Sequence, residues 1–232
     1  MSQPGLTTVP RINLSDTVYD ALRGWIMDRV LAPDSKLNID RLAETMGVSA
    51  TPVREALARL ESEGLVIKEP RRGYLSTPLL SRAEMNDLFE FRNLLEPAAA
   101  ARAAKRVTDE DVAALQHEIT AGRAAATGDS FVDYQAAFLH DARLHEHVFR
   151  IAGSPLLAAA FERTHSHLHT FRLQTRFDQA VWARTLDEHA AIAAFIGQGD
   201  APKARAAMRE HLASSLRHAD HQIQLQAIES AH

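Results

Sequence analysis

Four residues in the C-terminal two thirds of the chain have the types and spacing of a metal site. Asp141 and His145 stand four apart, which places them one above the other on a single helix face. His189 and His211 are separated by 22 residues with Gly199-Asp200-Ala201-Pro202 between them. An antiparallel hairpin of two helices would bring that pair side by side. One carboxylate and three imidazoles converging in a helical core suit a divalent transition metal, zinc foremost, with nickel, cobalt, manganese or iron as alternatives. Spacing alone leaves open that they are ordinary helix-surface side chains. All 12 histidines lie at or after His117, so the two parts of the chain do different chemistry. His140 and His147 fall on other faces of the Asp141 helix and read as bystanders. His165 and His169 share a face from which His167 points away; any of the three can line a cavity, and solvated or core positions are expected for them.

A second set of residues, near the N-terminus, has the pattern of a nucleic-acid reader. Ser49, Ala50, Thr51 and Arg54 follow Gly47-Val48 at the start of a helical stretch. An arginine at such an exposed helix start can make paired hydrogen bonds to guanine in a major groove. Arg59 lies further along the same outer face. Arg71, Arg72 and Gly73 form the tip of a short hairpin, where two guanidinium groups can neutralise phosphates or enter the minor groove. The alternative is a generic helical core with a solvated charge pattern.

The elements that must position these residues are mostly helical. Leu14-Ser15-Asp16 opens a first helix, with Ser15 as its cap and Leu14 stapled onto Tyr19. A second runs from Ile39 to Met46 and stops at Gly47, and a third, capped by Ser49, runs from Ala50 to Glu63. Leu65–Lys68 and Tyr74–Ser76 then read as two strands around Pro70–Gly73. Residues 1–78 thus read as a winged helix-turn-helix domain with a small β-hairpin wing. Residues 79–232 read as an all-α antiparallel bundle of six or seven helices, beginning with the capping box Ser81-Arg82-Ala83-Glu84 and kinked at Pro97. The expected fold class is mainly α.

Composition narrows the functions. At 232 residues, 46% apolar and 24% charged, with no cysteine, the chain is an ordinary globular protein without disulfides, zinc ribbons or thiol catalysis. There is no apolar run long enough for a membrane span and no signal-like N-terminus, so a cytoplasmic location is expected. The net charge of −4, with 10 Lys/Arg balancing 10 Asp/Glu in residues 1–78, excludes binding DNA by bulk charge; a local basic face must do it.

Two motif series carry a resemblance. Gly47-Val48-Ser49, Thr51-Pro52-Val53-Arg54-Glu55-Ala56-Leu57, Arg59-Leu60-Glu61 and Glu63-Gly64-Leu65 resemble the GntR family of bacterial regulators over about Val18 to Ser76. Ala50 stands where the family usually has an arginine, and Pro33-Asp34 where it has Pro-Gly. Arg92-Asn93-Leu94-Leu95-Glu96, Asp141-Ala142-Arg143-Leu144-His145, Ala152-Gly153-Ser154-Pro155, Glu188-His189 and Met208-Arg209-Glu210-His211 resemble the FCD ligand-sensing domain of its FadR-type branch, over about Ala83 to Leu216. Leu144 replaces an aromatic residue and Ser154 an asparagine. The resemblance implies Asp141, His145, His189 and His211 as metal ligands and Arg92 as a contact for an effector carboxylate. His167 and Arg172, the latter with Arg163 and Arg176 nearby, join Arg92 as candidate effector contacts by location only.

The expected function is a homodimeric repressor that binds a palindromic operator and responds to a small carboxylic acid held at the metal. Its two reading helices would lie about 34 Å apart, one turn of DNA. A metal-dependent hydrolase or isomerase is the rival from another class, but no motif supplies a general base, so the chain is read as a non-enzyme. A regulator whose signal is the metal itself is the third reading.

Overall fold

The computed structural model describes residues 14–125, 127–174 and 177–229, which divide into two compact units at Pro78/Leu79. In the first unit, α1 (Leu14–Met27) buries Val18, Tyr19, Leu22 and Ile26 at helical spacing. Ser15 lies inside this helix and donates to Glu55 instead of capping it. Leu14 is half exposed and makes no staple. A two-residue strand, β1 (Lys36–Leu37), follows, too short to be read from a sequence pattern.

Next, α2 (Ile39–Met46) starts at Asn38, whose side chain accepts from the Arg41 N–H, and ends at Gly47, where φ is +65°. That left-handed turn aims α3 (Ala50–Ser62) across α2. Ser49 occupies the cap position of α3, yet its hydroxyl makes no capping hydrogen bond. β2 (Val66–Glu69) and β3 (Gly73–Ser76) pair antiparallel, with Ile67 opposite Leu75, and β1 joins the other edge of β3. Ile26, Val53, Leu57, Leu60 and Leu65 are fully buried where helices and sheet meet. This is a winged helix-turn-helix. Asp34, in place of the usual glycine, holds φ at +56°, a conformation that aspartate tolerates better than most residues.

The second unit is a seven-helix bundle: α4 (Arg82–Ala104), α5 (Asp109–Ala124), α6 (Phe131–Ala152), α7 (Pro155–Glu162), α8 (Ser166–Arg172), α9 (Gln179–Gly197) and α10 (Ala201–Glu229). The Ser81–Glu84 capping box forms as the sequence indicates, and Thr108 and Asp111 build a second at α5. Helix α4 runs unbroken through Pro97. Ser154 precedes α7 but makes no side-chain cap. Helix α4 packs against α6, α9 and α10, and α9 and α10 form a hairpin closed by Gly199 at φ +71°. Phe89, Phe149, Phe161, Leu144, Ile192 and Leu212 fill the interior. No described helix is long and apolar enough to cross a membrane.

Candidate functional site

Three helices of the second unit bring Asp141, His145, His189 and His211 together. Helix α6 supplies the first two from adjacent turns, α9 supplies His189 and α10 supplies His211. One ligand atom from each lies within 4.8 Å of every other. The Nε2 atoms of His189 and His211 are 3.4 Å apart, and Asp141 Oδ1 is 3.7 Å from His189 Nε2. Two nitrogens bound at 2.0–2.1 Å to one tetrahedral ion would stand about 3.3 Å apart. The three imidazoles are fully buried, and Asp141 is the one member that reaches toward solvent.

The buried nitrogens test whether these residues fit a metal. Neither nitrogen of the enclosed His145 makes a hydrogen bond, a costly state unless another group occupies the Nε2 lone pair. The other nitrogen of each ring lies beside a carboxylate or another ring, with hydrogen-bond geometry at His189 and His211 and ion-pair distance alone at His145. His145 Nδ1 lies 2.6 Å from Glu96 Oε2, His211 Nδ1 lies 3.0 Å from Glu188 Oε2, and His189 Nδ1 lies 3.1 Å from His140 Nε2. Acceptors at Nδ1 hold the proton there and leave Nε2 free to ligate, the arrangement expected around a metal-binding histidine. Burial, reinforced by the neighbouring rings, pushes the pKa of His189 well below its ordinary value; burial also lowers that of His211, against its bond to Glu188. Both rings are therefore neutral at pH 7, the form that binds metal. The donor set fits a divalent ion.

Arg92, which the resemblance implies as an effector contact, has an internal partner. It is buried and paired with Glu96, with Nε 2.5 Å from Oε1, and its guanidinium lies 4.9 Å from the centre of the Phe89 ring. Burial opposes charge on Glu96, but Arg92 and His145 outweigh it and hold the carboxyl far below the usual carboxylate range. Arg92 thus fixes the charge of the carboxylate that orients His145. His167 faces the cluster: its ring packs against Phe138 and Phe161, its Nδ1 is buried without a partner, and burial lowers its pKa to about 4, with Asp141 and His145 among the groups acting on it. Arg172 is buried in α8, where its charge disfavours protonation of His169. Arg163 is exposed, and Arg176 lies outside the described residues.

One reading of the histidines changes. His140 is no bystander: it is buried between Glu118 and His189. A glycine in the last turn of α5 was the available signal, because a Cβ at Gly122 would stand 2.5 Å from the His140 ring. His147 does lie away from the cluster, beside Arg150 in a groove between α6 and α7. A separate cavity of about 50 Å³ opens beside Asp141, lined by Thr170, Gln174, Arg184, Thr185, Ser214 and His218 among others.

In the first unit, Thr51 and Arg54 are exposed at the start of α3, and Ala50 is partly exposed there. Arg59, further along the helix, is exposed and has partners within the unit. Its Nη1 lies 2.6 Å from Asp16 Oδ1 and its guanidinium covers the Tyr19 ring at 3.9 Å, so it ties α3 to α1. Tyr19 in turn donates to Glu63 at 2.6 Å. Arg71 and Gly73 both adopt positive φ at the hairpin tip, and Arg72 pairs with Glu69 at 2.8 Å.

Comparison with known proteins gives two matches along this chain. Residues 14–75 match the family described as bacterial regulatory proteins, gntR family, and residues 87–214 match the FCD domain. The chain is 29% identical over 202 residues to an HTH-type transcriptional regulator in an unstable DNA locus of Streptomyces ambofaciens, covering 87% of this chain and 83% of that one. It is 26% identical over 204 residues to the HTH-type transcriptional repressor RspR of Escherichia coli, covering 88% and 87%. Its fold superposes on that of E. coli McbR/YncC with a TM-score of 0.66 at 21% identity, over 91% of this chain and 99% of the other.

Proposed function

Since the chain belongs to the GntR family of bacterial transcription regulators and carries an FCD domain, we propose that it is a repressor whose grip on DNA is set by a small carboxylic acid bound at a metal centre. In this reading Thr51, Arg54 and Ala50 enter the major groove and Arg71 and Arg72 reach phosphates or the minor groove. Two copies form a homodimer on a palindromic operator in the cytoplasm. Repression is the sense suggested by RspR, which is named as a repressor.

The observation that carries the metal reading is the buried cluster of Asp141, His145, His189 and His211, each imidazole with its second nitrogen beside a carboxylate or another ring. A divalent ion bound there would offer open coordination positions to a carboxylate. The chain's own residues do the rest. Asp141 stands at the inner end of the cavity, while Arg184, Thr185 and Ser214 line it and can hydrogen-bond an acid. At about 50 Å³ the cavity admits little more than water, so an acid requires lining side chains to swing outward. Coupling to DNA then follows if the acid favours one spacing of the two readers over the other.

Operator binding by the zinc-loaded protein, measured with and without a panel of mono-, di- and tricarboxylates and again after chelation, tests the reading. Weakened operator binding with one acid, and loss of that response after chelation, is the expected result. A response to chelation alone would make the metal itself the signal. No response to any acid, with or without metal, would remove the effector reading.

A further inference from the structure

Of the three imidazoles whose Nε2 atoms converge, two present Nδ1 directly to a carboxylate and one does not. His189 Nδ1 meets His140 Nε2 at 3.1 Å, and His140 Nδ1 meets Glu118 Oε1 at 3.1 Å. His140 and His189 are exposed to 1% or less and Glu118 to 5%. Glu118 Oε2 lies 3.9 Å from Arg143 Nη1, whose side chain reaches the surface. We infer that His140, fixed by Glu118, is a positioning residue that sets the tautomer and orientation of His189 for metal binding. This inference rests on the metal reading above.

Proton accounting gives the relay one direction. An ionised carboxylate only accepts, so the proton between Glu118 and His140 sits on His140 Nδ1. A neutral imidazole protonated at Nδ1 has its lone pair at Nε2, and His140 Nε2 therefore accepts from His189 Nδ1–H. The single proton of His189 is then spent at Nδ1, and its Nε2 lone pair points at Asp141 and His211. With the opposite polarity His140 Nε2 would donate, and His189 would carry its proton where a metal must sit. One carboxylate at the far end decides between the two.

The surrounding packing is shaped to this ring. A Cβ at Gly122 would fall 2.5 Å from His140 Nδ1, 2.6 Å from Cε1 and 2.7 Å from Cγ, so the imidazole occupies the volume that any other residue on that face of α5 would claim. On the far side the Trp182 ring meets it edge to face, with centroids 5.6 Å apart and planes at 86°. The ring is held by α5, α6 and α9 at once. Partners of this kind commonly change metal affinity 10- to 100-fold when removed.

The test uses the full-length chain, stripped of metal and titrated with Zn²⁺ alone against a chromophoric chelator, and with Co²⁺ for its visible bands. His140→Ala is expected to weaken Zn²⁺ binding by roughly 10- to 100-fold and to shift the Co²⁺ spectrum. His140→Gln, whose amide keeps an acceptor and a donor, should recover most of the affinity. Glu118→Gln, which alters no volume but lets residue 118 donate as well as accept, should weaken binding less than His140→Ala does. The metal-free stabilities of His140→Gln and Glu118→Gln should match wild type, whereas a ring that merely packs would move those stabilities and leave affinity alone. Should His140→Ala fail to fold, unchanged Zn²⁺ affinity in Glu118→Gln overturns the relay. Wild-type protein that binds no divalent ion would remove the metal reading itself; tight wild-type binding with unaltered variants would remove only the relay.

Discussion

At the scale of single residues, the four candidate ligands separate from the other histidines by what their second nitrogens touch. The protein as purified is expected to hold about one divalent ion per chain. His189→Ala and His211→Ala should each lower that content, whereas His147→Ala, beside Arg150 on another face of α6, should leave it intact; elemental analysis of the four proteins checks this. His167 makes a pH-dependent prediction. Its ring titrates near 6.5 when unfolded and about 4 when folded, so between those values the unfolded chain binds the extra proton. Its contribution to stability is complete above about pH 6.5 and is lost as pH falls toward 4, by up to about 3 kcal/mol. Metal-free His167→Phe should accordingly show a shallower loss of stability between pH 7 and 4.5 in urea unfolding. A slope equal to wild type would mean that the folded ring is not held neutral. Asp141, His145, His189 and His211 were legible in the sequence because helical spacing and a tight hairpin allow them to align and the FCD resemblance implies them as ligands. His140 was not: helical periodicity turns it away from Asp141, and its burial depends on the missing side chain of Gly122 in another helix.

At the scale of elements, the reading helix α3 carries the next predictions. Arg54→Ala should cost about 1–3 kcal/mol of operator binding and relax discrimination at one base pair, measured against single-base operator variants. Ala50→Arg should steepen the salt dependence by roughly one unit per phosphate gained. Unaltered salt slope and affinity would mean that position 50 does not face DNA. Arg59→Ala belongs to a different class. With Asp16 and the Tyr19 ring as its partners, its loss should destabilise the first unit slightly while leaving base preference unchanged. A pattern within one helix cannot show that α1 presents an acid and an aromatic ring to Arg59. The same limit explains other differences. β1 has two residues, and α8 begins at His165 with φ +46° without a glycine or proline to mark the break. Long elements with strong caps, such as α4 from Ser81, were read close to their observed ends.

At the scale of the whole molecule, the two compact units predict two separable responses. Chelation should lower the stability of the helical bundle and leave that of the winged helix-turn-helix unchanged, and hydrogen exchange resolved along the chain reads each unit separately. A zinc concentration one hundred times the dissociation constant should restore about 2.7 kcal/mol to the bundle. Equal changes in both units would mean that they unfold as one. The division itself was visible in the sequence, where histidine is confined to one part of the chain and β-hairpin signals to the other.

The edge-to-face contact between Trp182 and His140 has a practical consequence. Trp182 is one of two tryptophans in the chain, and its indole sits one imidazole away from the candidate ligand His189. Its fluorescence is therefore a built-in gauge of the bundle's interior. In a Trp25→Phe background, where Trp182 emits alone, Co²⁺ or Ni²⁺ with partly filled d shells should quench the emission as the site fills. Zn²⁺, whose d shell is full, should alter it only slightly. Loading could then be followed in real time by light alone, on the same sample whose grip on DNA is being measured.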